Sequence, residues 1–174
     1  MSILELPPAT PSSPIYQRMS ETRKAEVISE LSTLLGARYV LHSAYDLTMY
    51  EYDASIDRGK PEIVVMPANS EEVAAIVKIA ARYSVPVVPR GAGTGLSGGA
   101  IPIYGGIVIV FTRMNRILEI DYANLRAVVE PGLVNLHLST ALTPEGCYYV
   151  PDPSSQRSCT IGGNVGENAG GPHT

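Results

Sequence analysis

Pro89-Arg90-Gly91-Ala92-Gly93-Thr94-Gly95-Leu96-Ser97-Gly98-Gly99 holds five glycines in eleven residues and comes directly after the apolar run Val85-Pro86-Val87-Val88. Glycine carries no Cβ, so it adopts positive φ and lets an anion approach the main chain, at an entropic cost that a plain surface loop does not recover. A tight turn uses one or two glycines; here the interleaved Thr94 and Ser97 add hydroxyls to the backbone donors. Gly93 to Gly98 also fits the G-x-G-x-x-G pattern of dinucleotide-binding folds, which open a helix inside the motif. The adjoining Gly99-Ala100-Ile101-Pro102-Ile103-Tyr104-Gly105-Gly106 is too rich in Gly and Pro to be that helix, and no Gly-Lys-Ser/Thr marks a P-loop. The stretch therefore reads as a long glycine loop that wraps a pyrophosphate, against the plainer alternative of a wide strand connection. Arg90 is either a phosphate partner or a solvated charge at a strand end.

Upstream, Glu62-Ile63-Val64-Val65-Met66 is a β-branched run ended by Pro67, and Asn69 with Glu72 three residues on forms a capping box. The helix it starts runs to about Tyr83, with Val73, Ile76, Val77 and Ala80 at helical spacing, and the chain re-enters a strand at Val85 to Val88. This is a β-α-β unit closed by the glycine loop. Downstream, Ile107 to Phe111, Ile117 to Ile120 and Ala127 to Glu130 read as strands, Leu133 to Leu142 as a helix, and Cys147 to Val150 as a short strand after Pro144 and Gly146. At the other end, Ser20 caps a helix with Val27, Ile28, Leu31, Leu34 and Leu35 on one face and Gly36 as its stop, placed on the outside of the main domain. Residues 1–19 are proline-rich and aperiodic, and read as a loosely docked arm.

With 174 residues, 45% of them hydrophobic, the chain suffices for one substantial core plus an appendage. Thirteen basic against seventeen acidic side chains, a formal net charge of −4, leave no electrostatic footprint for a nucleic acid. Met1 to Pro8 lacks a basic segment leading into an apolar one, and no stretch nears the ~18 apolar residues of a membrane span, so a soluble, cytoplasmic protein is expected. Cys147 and Cys159 have no companions at metal spacing and read as reduced structural thiols. His42, His137 and His173 are scattered, no catalytic set can be assembled, and no metal site is expected.

A second constellation, Pro151-Asp152-Pro153-Ser154-Ser155 and then Ser158-Cys159-Thr160-Ile161-Gly162-Gly163-Asn164-Val165-Gly166, again offers small hydroxyls and open backbone. A flavin ring needs such donors along one edge; a surface loop of turn residues is the plain alternative. Beyond it, Asn168 to Thr174 contains no helix or strand to tie the segment down, so the chain reads as cut short.

Five blocks, in order, carry a resemblance: Pro67-Ala68-Asn69-Ser70-Glu71-Glu72-Val73, the loop Pro89 to Gly99, Met114-Asn115-Arg116-Ile117, Glu130-Pro131-Gly132, and Ser158 to Asn164. From about Tyr45 onward the chain resembles the N-terminal half of the glycolate oxidase FAD-linked subunit and D-lactate dehydrogenase family, flavoproteins of the vanillyl-alcohol oxidase type. The resemblance implies an α+β fold, the p-cresol methylhydroxylase-type FAD-binding domain, with an N-terminal α/β subdomain, an incomplete second one, and truncation at the C-terminus. It divides the chain into residues 1–44, arm and helix, and 45–174, FAD-binding domain. It assigns Arg90, Gly91, Ala92, Gly93, Thr94, Gly95, Leu96, Ser97 and Gly98 to the FAD pyrophosphate. It assigns Pro151, Asp152, Ser158, Thr160, Gly162, Gly163 and Asn164 to the ribityl and isoalloxazine portion. The first loop lacks the histidine that attaches FAD covalently in some relatives, so non-covalent binding is implied. The implied activity is oxidation of a 2-hydroxyacid, glycolate or D-lactate, to the 2-oxo acid with hydride passing to flavin N5; the partners are that small molecule and other subunits or a missing C-terminal half. The alternative is a non-catalytic truncated fragment or half-protein that needs a separate remainder.

Overall fold

The computed structural model describes residues 18–174. Helix α1, Glu21–Leu35, starts where the sequence places it: the amide of Arg23 donates to Ser20 Oγ at 3.3 Å, and Gly36 ends the helix at a φ of +86°. Its buried face is Val27, Leu31 and Leu35, while Leu34 stays at the surface. A short turn leads to strand β1, Val40–Leu41, and then to helix α2, Ala44–Leu47.

Strand β2, Ile63–Val65, and helix α3, Ser70–Arg82, come next. The capping box forms with one shift. Glu72 N donates to Asn69 Oδ1 at 2.8 Å, but the Glu72 carboxylate reaches back to Ala68 N at 2.7 Å. Strands β3, Val87–Arg90, and β4, Ile107–Val110, complete a four-stranded sheet in the order β1-β2-β4-β3, with β1 antiparallel and the others parallel. The β-α-β unit thus leaves a space one strand wide, and β4 fills it. That central position explains the composition of Ile107 to Val110, since a strand covered on both faces is apolar at every residue.

One face of the sheet, with Ile63, Val65, Ile107 and Ile109, packs under α1 and α3; the other, with Val64, Val108 and Val110, packs on Leu47 and Tyr50. α1 is therefore one of the two covers of the main core. Residues 1–17 of the expected arm lie outside the described residues, but its end is corrected: Met19 is buried and its amide donates to Glu62 Oε1 at 2.8 Å. The other oxygen of this buried carboxylate accepts from Gly106 N at 3.0 Å, which ties the start of α1 to the start of β4.

Strands β5, Ile117–Asp121, and β6, Arg126–Val129, form a separate antiparallel hairpin. The Glu130 carboxylate closes its open end, accepting from Arg116 N at 2.8 Å and Arg116 Nη2 at 2.7 Å, and these bonds hold its pKa below the ordinary value. Helix α4, Asn135–Leu142, packs Leu138 with Leu133 and Ile161 into a small second core beside the hairpin. Two expectations fail beyond it. Cys147 to Val150 forms no strand, because its backbone is taken up locally: Cys147 N donates to Leu142 O at 3.3 Å and Tyr149 N to Ser139 Oγ at 3.1 Å. And the second constellation, read as open loop backbone, winds into helix α5 over Ile161–Gly166, while Asn168 to Thr174 holds no helix or strand.

Candidate functional site

β3 ends at Arg90, and residues 91–99 then run without regular secondary structure. Arg90 is not the solvated strand-end charge: it is 7% exposed, its Nη1 has no hydrogen-bond partner, and its guanidinium lies 5.7 Å from the centre of the Tyr50 ring. Burial lowers its pKa, with the Asp53 charge pushing back. Asp53 is buried too; its Oδ1 accepts from Ser55 N at 2.8 Å and its Oδ2 is unpartnered. A buried donor and a buried acceptor left open beneath one loop are costly unless a polar guest or water completes them.

The second glycine-rich segment stands across from the first. Thr160 caps α5, its Oγ1 accepting from Gly163 N at 3.4 Å, and the same hydroxyl occupies the space a Cβ on Gly91 would need. Gly93 has a φ of +73°, and a Cβ there would strike the Arg90 guanidinium. The main chain of the first segment is thus bare because side chains at Gly91 and Gly93 would run into Thr160 and Arg90. Between the segments lies a cleft of about 470 Å³.

Arg90, Gly91, Ala92, Gly93, Thr94, Gly95, Leu96, Ser97, Thr160, Gly162, Gly163 and Asn164 line this cleft, so most residues singled out in sequence converge on it. Four stand elsewhere. The carbonyl of Gly98 accepts from Ile101 N at 3.1 Å, and Gly98 itself does not line the cleft although Gly99 and Ala100 do. Ser158 lines a neighbouring hollow with Ala92, His137 and Thr160. The carbonyl of Pro151 accepts from Asn135 Nδ2 at 2.8 Å. Asp152 Oδ2 lies 2.6 Å from His173 Nδ1, and this hydrogen bond is the main cause of its lowered pKa.

Sequence reasoning missed Asp53, Asn135 and Glu167. Asn135 is wholly buried; its Nδ2 also donates to Asn164 Oδ1 at 2.9 Å, and Asn164 Nδ2 donates to Cys159 Sγ at 3.3 Å. This network fixes the one polar side chain that α5 turns toward the cleft. The signal in sequence was an amide inside the apolar spacing of Leu133 to Leu142. Glu167 had a signal as well, being the only charged residue between Ser158 and Pro172; its carboxylate accepts from Ser97 Oγ across the cleft. Among the described residues, no group of three or more His, Cys, Asp or Glu could hold a metal ion, and no helix is long and apolar enough to cross a membrane.

Residues 61–174 match the family described as FAD binding domain. The chain is 45% identical over 156 residues to glycolate oxidase subunit GlcD of Escherichia coli strain K12, covering 89% of this chain and 31% of that protein. It is 42% identical over 114 residues to a D-lactate dehydrogenase of Anaerostipes hadrus, covering 66% of this chain and 24% of the relative. The chain therefore spans about a third or less of the length of these relatives. Among solved structures, 4-ethylphenol oxidase from Gulosibacter chungangensis matches with a TM-score of 0.74 at 32% identity, over 86% of this chain and 30% of that one. p-Cresol methylhydroxylase matches with a TM-score of 0.72 at 24% identity, over the same shares of the two chains, and shows the fold.

Proposed function

The chain belongs to the FAD binding domain family matched over residues 61–174, and on that premise we propose that it is the FAD-binding portion of a flavin-dependent 2-hydroxyacid oxidoreductase. The observation that carries this reading is the cleft between two glycine-rich segments, floored by a buried arginine with a free Nη1 donor. A diphosphate suits that loop, because the amides of residues 91–97 make none of the backbone bonds found elsewhere among the described residues and so remain available. Gly91 and Gly93 keep the approach open, and Thr94 adds a hydroxyl donor. Thr160, Gly162, Gly163 and the pinned Asn164 take the ribityl and ring portion. Pro151 supports that side through the bond from Asn135 Nδ2 to its carbonyl, and Asp152, next in the chain, is tied to His173.

When bound, the flavin supplies a two-electron acceptor for oxidation of a hydroxyl to an oxo group. The chain's own part is to bind, orient and shield it. Attachment is non-covalent in this reading, since no histidine lines the cleft. The relatives named as glycolate oxidase and D-lactate dehydrogenase support a 2-hydroxyacid as substrate. In this reading the choice of acid is made by the part of the relatives' length that the chain does not span, and the 174-residue chain alone binds FAD but turns over neither glycolate nor D-lactate.

Titration of the purified chain with FAD tests the core of the proposal. Saturable quenching of flavin fluorescence, with the weak affinity of a site lacking the rest of its cover, is the expected result. A colourless protein that leaves flavin fluorescence unchanged would overturn it. Sustained reduction of a dye by the FAD-loaded chain with either acid would overturn the claim that turnover needs more protein.

A further inference from the structure

Glu167 is not among the residues proposed to hold FAD, yet its side chain spans the cleft. It stands directly after α5, where its amide donates to Gly163 O at 3.0 Å. Its carboxylate meets a loop seventy residues earlier in the chain, with Oε2 accepting from Ser97 Oγ and Oε1 lying 3.2 Å from where a Gly95 Cβ would stand. Gly99 faces the same carboxylate. The absence of side chains at Gly95 and Gly99 is what lets a glutamate lie so close to the backbone there.

The glycine loop needs such a hold. Among the described residues, the backbone bonds of residues 91–99 outside strand pairing come down to one, from Ile101 N to the Gly98 carbonyl. A loop whose amides are left free for a ligand has little of its own to keep its shape, and an unshaped loop loses conformational entropy on binding. The hydroxyl of Ser97 carries a single hydrogen, and Glu167 accepts it. Ser97 therefore cannot donate to a diphosphate while that bond stands.

We propose that Glu167 is a positioning residue that straps the glycine loop to the α5 segment through the Ser97 hydroxyl, holding the loop in the shape that receives the FAD diphosphate. This rests on the FAD reading of the cleft. What the strap uses is the acceptor atom; the negative charge beside an anion is a disadvantage that a neutral amide would lack.

Five proteins test it: the wild type, Ser97→Ala, Glu167→Ala, the double variant and Glu167→Gln. Backbone amide order parameters from nitrogen-15 relaxation without ligand report the strap, and flavin fluorescence titration reports FAD affinity. Each alanine variant should lower the order parameters of residues 91–99, leave those of β2 and β4 unchanged, and weaken FAD binding about threefold to tenfold, the range of one ordinary hydrogen bond. The double variant should be no worse than either single one, because both remove the same bond. Glu167→Gln should keep the wild-type loop order and bind FAD at least as tightly. Unaltered loop order in Glu167→Ala, additive losses in the double variant, or weakened binding in Glu167→Gln would each overturn the strap. A wild-type chain that takes up no FAD, while its variants show the loosened loop, would instead overturn the reading of the cleft.

Discussion

The two glycine-rich segments that face each other across the cleft are built on opposite plans. Residues 91–99 stay irregular and leave their amides unpaired, whereas Ile161–Gly166 winds into a helix despite three glycines in six residues. Glycine inside a helix costs about 1 kcal/mol per residue relative to alanine, so local preference argues against α5. Anchors at helical spacing offset that cost. Ile161 and Asn164 are buried three residues apart, Thr160 caps the first turn, and Gly162 sits against Pro131 with its amide donating to the Pro131 carbonyl at 2.8 Å. The first segment has no such anchors: Leu96, its one large apolar side chain, is 78% exposed. A similar glycine density thus yields a ligand loop in one place and a packed helix in the other, and what lies across from the backbone decides which.

The largest effect that would sharpen this contrast is expected from Gly162→Val. A Cβ there would lie 2.7 Å from the Pro131 Cβ and 2.9 Å from its carbonyl oxygen, neither of which can swing away. Overpacking of this kind should cost about 3 kcal/mol, read as a lowered thermal midpoint. Gly95→Val makes the opposite trade, because its Cβ would meet only the end of the Glu167 side chain. Stability should stay within about 0.5 kcal/mol of wild type while FAD affinity falls about tenfold, or ~1.4 kcal/mol. If the two substitutions behaved alike in denaturation and in flavin titration, the distinction between loop and helix would be lost.

Thr160→Ala comes next, at about 1 kcal/mol in chemical denaturation for a lost cap. A smaller value would mean that burial of Ile161 and Asn164 alone sustains α5. The smallest effect concerns acid. His173 holds the Asp152 carboxyl below its ordinary value of 3.8, so the folded state favours the ionised form. Its contribution is complete above that value and is lost as pH falls through the lowered one. Because the pair is partly solvated the change is slight, and it should be local: backbone amide order parameters around Asp152 and His173 should fall in acid while those of residues 91–99 hold. Asp152→Asn should remove this pH dependence. Loosening of both segments together in acid would show that the second has no separate tether.

Legibility tracked the range of the interactions. The caps at Ser20 and Asn69 act over three residues, and both stand where they read. The apolar faces of α1 and α3 were legible in outline, although Leu34 and Val77 lie at the surface because the buried stripe is narrower than the run of apolar residues. Cys147 to Val150 had the composition of a strand, but a strand needs a neighbour, and the chain offers it only the end of α4 and the Ser139 hydroxyl. Most of the cleft lining was legible because bare backbone and small hydroxyls announce themselves in composition. Asp53 was not, and the signals at Asn135 and Glu167, an amide amid apolar spacing and a lone charge among glycines, name no partner by themselves.

By itself, the sequence determined where backbone would be exposed to a ligand, where helices begin, and which strand is apolar at every position, because each of these is set by steric and hydrogen-bonding limits within a few residues. Only the tertiary structure decided that β4 lies between β2 and β3, that Arg90 points inward with an open donor, and that Glu167 reaches Ser97. Those are contacts between residues tens of positions apart, and whether such residues meet depends on how the sheet and its covers pack.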